Sequence, residues 1–277
     1  ELDGIGTGAP PADGIAFQLY TSGTTGVPKG AMFAHGDNVK TLLERVSPVW
    51  GGFGPADVSL VCMPLFHMGG LAWALAGMSG GATTVTLRDF DPAQVLQACE
   101  RHAITTAFFV PAMLTAVLQV ADASNADLRL RLISYAGAPV SASTLRKAIT
   151  TFGCDFVQLY GMTEATGGLA QLSPGDHDPG GPRDHLLQSA GRPYPWVEVR
   201  IVDPRTGVDV AVGQRLGGAW RLPAARARLA AVRARLRSRR ARRRQRRRHP
   251  AARRAARSAA QTAGDRLSRP RLVPRRL

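Results

Sequence analysis

The sequence predicts an α/β protein: a largely parallel sheet flanked by helices, followed by an irregular Arg-rich tail. Two observations carry the fold class. From Ile15 to about Val202, short β-rich runs alternate with segments of helical period, and the helical segments open on recognisable start signals. A third observation shows where this pattern stops. Residues 1–214 hold 13 Lys+Arg against 19 Asp+Glu, a net charge of −6, whereas residues 215–277 hold 23 Arg against one acid, Asp265, a net charge of +22. The overall charge of +16 and the isoelectric point near 11.3 therefore belong to the tail, and the preceding part is mildly acidic.

Taken in order, Gly4–Gly14 is rich in Gly and Pro and reads as a linker over residues 1–14. There is no initiator methionine, so the chain is expected to begin inside a longer protein. Ile15–Tyr20 opens as a strand. Asn38–Val49 sets Val39, Leu42, Leu43 and Val46 on one face of a helix. Val58–Met63 and Thr83–Leu87 return to strand, and between them Leu71–Met78, with Trp73, is an apolar helix. Asp91 as N-cap and Pro92 in the first turn start a helix that turns Val95, Leu96 and Cys99 inward. Ile104–Val110 follows as strand, Pro111 begins a helix with Leu114, Val117 and Leu118, and Leu130–Tyr135 is strand again. Ser141 caps a helix through Leu145 and Ile149, and Phe156–Tyr160 is the next strand. Val197–Val202 alternates as a half-exposed strand of a smaller sheet.

Cys62, Cys99 and Cys154 are widely spaced and suggest neither a disulfide framework nor a zinc site, which fits a reducing, cytoplasmic setting. No apolar run reaches the roughly 18 residues that a membrane span requires. The tail contains no Lys, Ile, Phe, Tyr or Met. An Arg-only composition is what a GC-rich gene yields when read out of frame; the other readings are a nucleic-acid-binding arm, whose affinity would fall steeply with salt, and a helical partner segment.

The most informative stretch follows the first strand: Tyr20-Thr21-Ser22-Gly23-Thr24-Thr25-Gly26-Val27-Pro28-Lys29-Gly30. Its glycines let backbone approach a ligand, the hydroxyls of Thr21, Ser22, Thr24 and Thr25 can donate to anionic oxygens, and Lys29 adds positive charge. It is not a Walker A loop, because Lys29 precedes Gly30 instead of following a glycine. The bland alternative is an ordinary Ser/Thr/Gly surface loop. Further along stand Met63-Pro64-Leu65-Phe66-His67-Met68-Gly69-Gly70, Tyr135-Ala136-Gly137-Ala138-Pro139 and Gln158-Leu159-Tyr160-Gly161-Met162-Thr163-Glu164.

These four segments, in this order, resemble the adenylate-forming superfamily, and most resemble its fatty-acid acyl-CoA synthetases. The likeness covers about Ile15 to Gln214, so residues 15–214 read as part of the large N-terminal AMP-binding domain. The resemblance implies that an acid is activated by ATP with Mg²⁺ and passed to coenzyme A. It implies that the Thr21–Lys29 loop (Thr21, Ser22, Gly23, Thr24, Thr25, Gly26, Lys29) holds the pyrophosphate part of ATP. It places Thr163 near the α-phosphate, Glu164 on Mg²⁺, Tyr160 with Gly161 and Met162 along the adenine, and Gly137, Ala138 and Pro139 beside the adenine and acyl pockets. His67 becomes a gate between acyl pocket and nucleotide. The competing readings are a helix cap for Thr163-Glu164, a core strand end for Tyr160, a surface histidine for His67, and plain core for Leu71–Met78 where the resemblance allows an acyl tunnel.

Amino-acid-activating relatives place Asp after the Phe, whereas His67 follows Phe66 here, which favours an acid without an α-amino group: a fatty acid first, an aryl acid second. His35 sits where the family often has His; His102, His177, His185 and His249 receive no role. A Thr-Gly-Asp segment for the ribose and a Lys-bearing C-terminal domain, which the resemblance calls for, do not appear. The alternatives are therefore a catalytically dead nucleotide-binding fragment and a nucleic-acid binder acting through its tail.

Overall fold

In the computed structural model, residues 13–22, 28–122, 127–203, 206 and 208–210 are described. The expected limit at residue 214 and the tail at 215–277 lie outside them, as does the linker up to residue 12. The strands are β1 (Ile15–Thr21), β2 (Lys29–Ala34), β3 (Val58–Val61), β4 (Thr83–Thr86), β5 (Thr106–Phe109), β6 (Leu132–Ala136), β7 (Asp155–Met162), β8 (Gly167–Leu172) and β9 (Arg192–Pro193). The helices are α1 (Ser47–Val49), α2 (Met68–Ser79), α3 (Pro92–Arg101), α4 (Pro111–Asp122) and α5 (Ala142–Phe152).

The main sheet has the order β4-β3-β5-β6-β7-β8-β9, parallel from β4 to β7 and antiparallel at β8 and β9. The chain leaves β3 toward β4 on one side and returns past β3 to β5 on the other, so the direction of winding reverses between β3 and β5. Successive residues feed opposite faces. Leu60, Ala107, Phe109, Ile133 and Phe156 pack with α3, α4 and α5, while Val61, Phe108, Leu132 and Val157 pack with α2 and the segments before it. Burial on both faces explains why these strands read as continuous apolar runs.

The cap signals act as expected. Asp91 Oδ1 accepts from Gln94 N at 2.8 Å and Ser141 Oγ accepts from Thr144 N at 3.0 Å. Replacing Asp91 by Ala leaves that N–H without its acceptor and should cost about 1 kcal/mol, seen as a lower urea midpoint with an unchanged slope.

The strand expected at Ile15–Tyr20 forms as β1, which pairs antiparallel with β2 in a hairpin separate from the main sheet. Two expectations are corrected. The helix expected at Asn38–Val49 starts earlier and is wound wide, as π-helical segments at His35–Val39 and Leu42–Val46 that close in α1. Leu42, Val46 and Trp50 are buried, so the apolar face is as anticipated although the helix type is not. Val197–Val202 is not a strand. Only Val202 bridges Asp209, supported by Asp203 N to Val208 O and Val210 N to Ile201 O, both at 2.9 Å. Two short antiparallel segments with no third strand beside them among the described residues gain little burial. Among the described residues no helix is long and apolar enough to cross a membrane.

Candidate active site

Because β3, β5, β6 and β7 run parallel, the segments that leave their C-terminal ends emerge along one edge of the sheet, where α/β folds of this winding place ligands. Beyond β3, His67 N donates to Pro64 O at 3.1 Å, closing the turn that aims α2. His67 is the N-cap residue of α2 in extended conformation, its ring lies 4.7 Å from that of Phe66, and both side chains are exposed.

Beyond β6, Gly137 has φ +92°, a conformation that side-chain-bearing residues rarely adopt, and Gly137, Ala138 and Pro139 are all exposed. The register of Tyr135 with Gln158 and Ala136 with Leu159 sets this exposed backbone beside Tyr160, where β7 runs past the end of β6 while staying paired with β8. Tyr160 is half-buried, and that partial burial raises its phenol above the ordinary value. At Gly161 an added Cβ would overlap the carbonyl oxygen of Gly167, so only glycine lets β8 return this close. Met162 leads into a 3₁₀ turn, Thr163–Ala165, with Thr163 and Glu164 half-buried. The turn ends at Thr166, which is left-handed at φ 63° and ψ 35° and buried. That conformation costs a non-glycine residue about 1–2 kcal/mol and persists only where neighbours hold it.

The hairpin carries the remaining sites. Thr21 is half-buried, with Oγ1 only 3.5 Å from Lys29 O; Ser22 and Lys29 are exposed. Gly23, Thr24, Thr25 and Gly26 lie outside the described residues. The structure therefore brings the ends of β6 and β7 side by side with the His67 turn along the same edge, while the centre of the loop has no stated position. Trp73, on the helix that admitted an acyl tunnel, is buried core.

The donor set suits phosphate and a hard cation: hydroxyls at Thr21 and Thr163, a carboxylate at Glu164 and open backbone at Gly137. Among the described residues no three His, Cys, Asp or Glu side chains gather as a metal site.

Two partnerships were illegible in the sequence. His177 Nδ1 lies 2.9 Å from Ser173 O and its Nε2 lies 2.9 Å from Tyr135 Oη. A carbonyl only accepts, so Nδ1 carries the hydrogen and the neutral ring accepts from the Tyr135 hydroxyl. Burial lowers the His177 pKa, which favours that neutral form. Asn38, expected only to begin a helix, donates from Nδ2 to Thr166 Oγ1 at 2.6 Å. Both link residues far apart in the chain, which no local pattern reports.

Residues 6–219 match the family of AMP-binding enzymes. The chain is 38% identical over 189 residues to the fatty acid–[acyl-carrier-protein] ligase ScoC of Streptomyces coeruleorubidus, covering 67% of this chain and 36% of that protein. It is 34% identical over 230 residues to the medium/long-chain-fatty-acid–CoA ligase FadD8 of Mycobacterium tuberculosis, covering 79% and 38%. The O-succinylbenzoate coenzyme A synthetase (MenE) of Bacillus subtilis, solved with ATP and magnesium ion, superposes with a TM-score of 0.61 at 30% identity over 74% of this chain and 40% of that one. The chain thus spans roughly two fifths of the length of these relatives. With its His67, Gly137 and Tyr160 segments along the C-terminal edge of a parallel sheet, the chain belongs to the family of adenylate-forming AMP-binding enzymes.

Proposed function

We propose that residues 15–210 supply the nucleotide and acid half of a site that activates a carboxylic acid with Mg·ATP, and that the whole protein passes the acyl group to a thiol, that of coenzyme A. The observation that carries this reading is the arrangement at one sheet edge of the His67 turn, the Gly137–Pro139 backbone and the Tyr160–Glu164 turn. In the reaction a carboxylate oxygen attacks the α-phosphorus and pyrophosphate leaves. The hydroxyls of Thr21 and Ser22, with Lys29 and the loop between, neutralise the leaving phosphates; Thr163 hydrogen-bonds an α-phosphate oxygen; Tyr160 lies along the adenine. Mg²⁺ on Glu164 would add the charge that absorbs the developing pyrophosphate. His67, exposed at the head of α2, stands where acid and nucleotide meet.

A fatty acid is the favoured substrate, because His67 occupies the position after Phe66 and offers no carboxylate for an α-ammonium group. An aryl acid is second. For this chain by itself we expect weak Mg·ATP binding and no turnover, since residues 1–277 contain no Thr-Gly-Asp segment for the ribose. Calorimetry should show Mg·ATP affinity reduced about tenfold by Glu164→Gln, the loss of one charge-assisted contact. Pyrophosphate release above background that depends on added octanoate or ferulate would overturn the inactive reading, and the better acid would decide the substrate class.

A further inference from the structure

We propose that Asn38 is a positioning residue that latches the Thr163–Glu164 turn to the base of the β1–β2 hairpin. The latch is geometric and its amide orientation is unambiguous. Ala34 N donates to Asn38 Oδ1 at 3.0 Å, and an N–H can face only the oxygen of the amide. Nδ2 is thereby turned to Thr166 Oγ1, which it meets at 2.6 Å across 128 residues of sequence. Both ends of the amide are engaged, and both partners are structural corners: Ala34 ends β2, and Thr166 ends the turn that carries Thr163 and Glu164.

Three features make this corner more than a chance contact. Thr166 holds a left-handed backbone without being glycine, a conformation that its surroundings must enforce. Asn38 lies in a π-helical segment, His35–Val39, and such widened turns are uncommon and often aim a side chain at a site. A Cβ added at the residue after Thr166, Gly167, would meet the side chain of Met68, the first residue of α2 and the neighbour of His67, at 3.7 Å. The corner Thr166–Gly167 therefore closes the Thr163–Glu164 turn, holds the segment after the hairpin through Asn38, and opens β8, which lies beside α2. With the Asn38 amide in place, Thr166 reverses the chain at a fixed angle, so Thr163 and Glu164 project in one direction relative to the hairpin whose ladder runs to Thr21 and Lys29. Without it, the left-handed residue is free to relax and the turn loses its direction. The consequence for ligand binding rests on the nucleotide reading proposed above; the latch itself does not.

The test uses the full chain and two readouts. Amide hydrogen exchange at Ala34, Thr166 and Gly167 reports the latch without any ligand, and calorimetry with Mg·ATP reports its effect on the site. Asn38→Ala and Thr166→Val should each speed exchange at Thr166 and Gly167 and weaken Mg·ATP about tenfold. The double variant should be no weaker than either single one, and Thr166→Ser, which keeps the hydroxyl, should behave as wild type. Exchange left at wild-type rates in Asn38→Ala overturns the latch. Faster exchange with unchanged Mg·ATP affinity, or a Thr166→Ser variant as weak as Thr166→Val, overturns the positioning role. A wild-type chain that exchanges slowly at Thr166 but binds no Mg·ATP sinks the nucleotide reading and the positioning role with it, while leaving the latch as a purely structural bond.

Discussion

Replacing Trp73 by alanine should lower the free energy of unfolding by about 3–5 kcal/mol, the loss expected when a large aromatic side chain is removed from a packed core. Trp73 is 1% exposed on α2. Its ring stacks on Phe108 at 5.7 Å and Trp50 at 6.3 Å, and Phe53 meets it edge-on at 4.9 Å. This cluster joins α2, the sheet and the helical turns after the hairpin, so no single element can collapse into the space left behind. Trp73→Phe should cost less, because the indole Nε1 is buried with no hydrogen-bond partner among the described residues and its removal relieves a desolvated group. Urea titration checks both variants. The same experiment separates core from tunnel: a Trp73 that lined an acyl channel would leave stability nearly unchanged on truncation.

The second large effect is expected at the opposite, N-terminal edge of the sheet. Asp57 accepts from Arg131 Nε at 2.7 Å and Nη2 at 2.8 Å, from Thr105 Oγ1 at 2.8 Å and from Gly54 N at 2.9 Å. Arg131 Nη2 also donates to Gly52 O at 2.7 Å, so one carboxylate and one guanidinium tie the loop before β3 to the starts of β5 and β6. The Arg131 hydrogen bonds hold the Asp57 carboxyl at about 2, below its ordinary 3.8. A depressed carboxylate pKa stabilises the fold in full above the unfolded value, near 4, and that stability is lost as pH falls toward 2. Asp57→Asn should therefore cost about 2 kcal/mol at neutral pH and flatten the decline in stability between pH 4 and pH 2, measured as the urea midpoint across that window.

Much of the fold was legible because its signals are local. Asp91 with Pro92, and Ser141 before an amphipathic run, are sufficient to start α3 and α5 wherever those helices later pack. Leu60-Val61 and Phe108-Phe109 announce strands buried on both sides, but cannot say which residue faces α2 and which faces α3. β8, Gly167–Leu172, went unread because it opens on two glycines and contains no β-branched residue; it forms because Thr166 and Gly167 reverse the chain against β7. Val197–Val202 showed the converse error, a good alternation that among the described residues forms only the bridge of Val202 to Asp209.

The site divides along the same line. Motif order in the sequence pointed to the family and named His67, Gly137–Pro139 and Tyr160–Glu164, and the parallel register put those segments on one edge. The sequence by itself determined the α/β class, the helix starts, the change of composition after Gln214 and the chemistry that the loop residues offer, since each depends on residues within a turn or two of one another. Only the tertiary structure decided that β1 stands apart in a hairpin, that Trp73 is core, that Asp57 is clamped by Arg131 and that Asn38 holds Thr166. These are hydrogen bonds and packing contacts between residues tens to more than a hundred positions apart, and their partners are chosen by how the chain crosses the sheet.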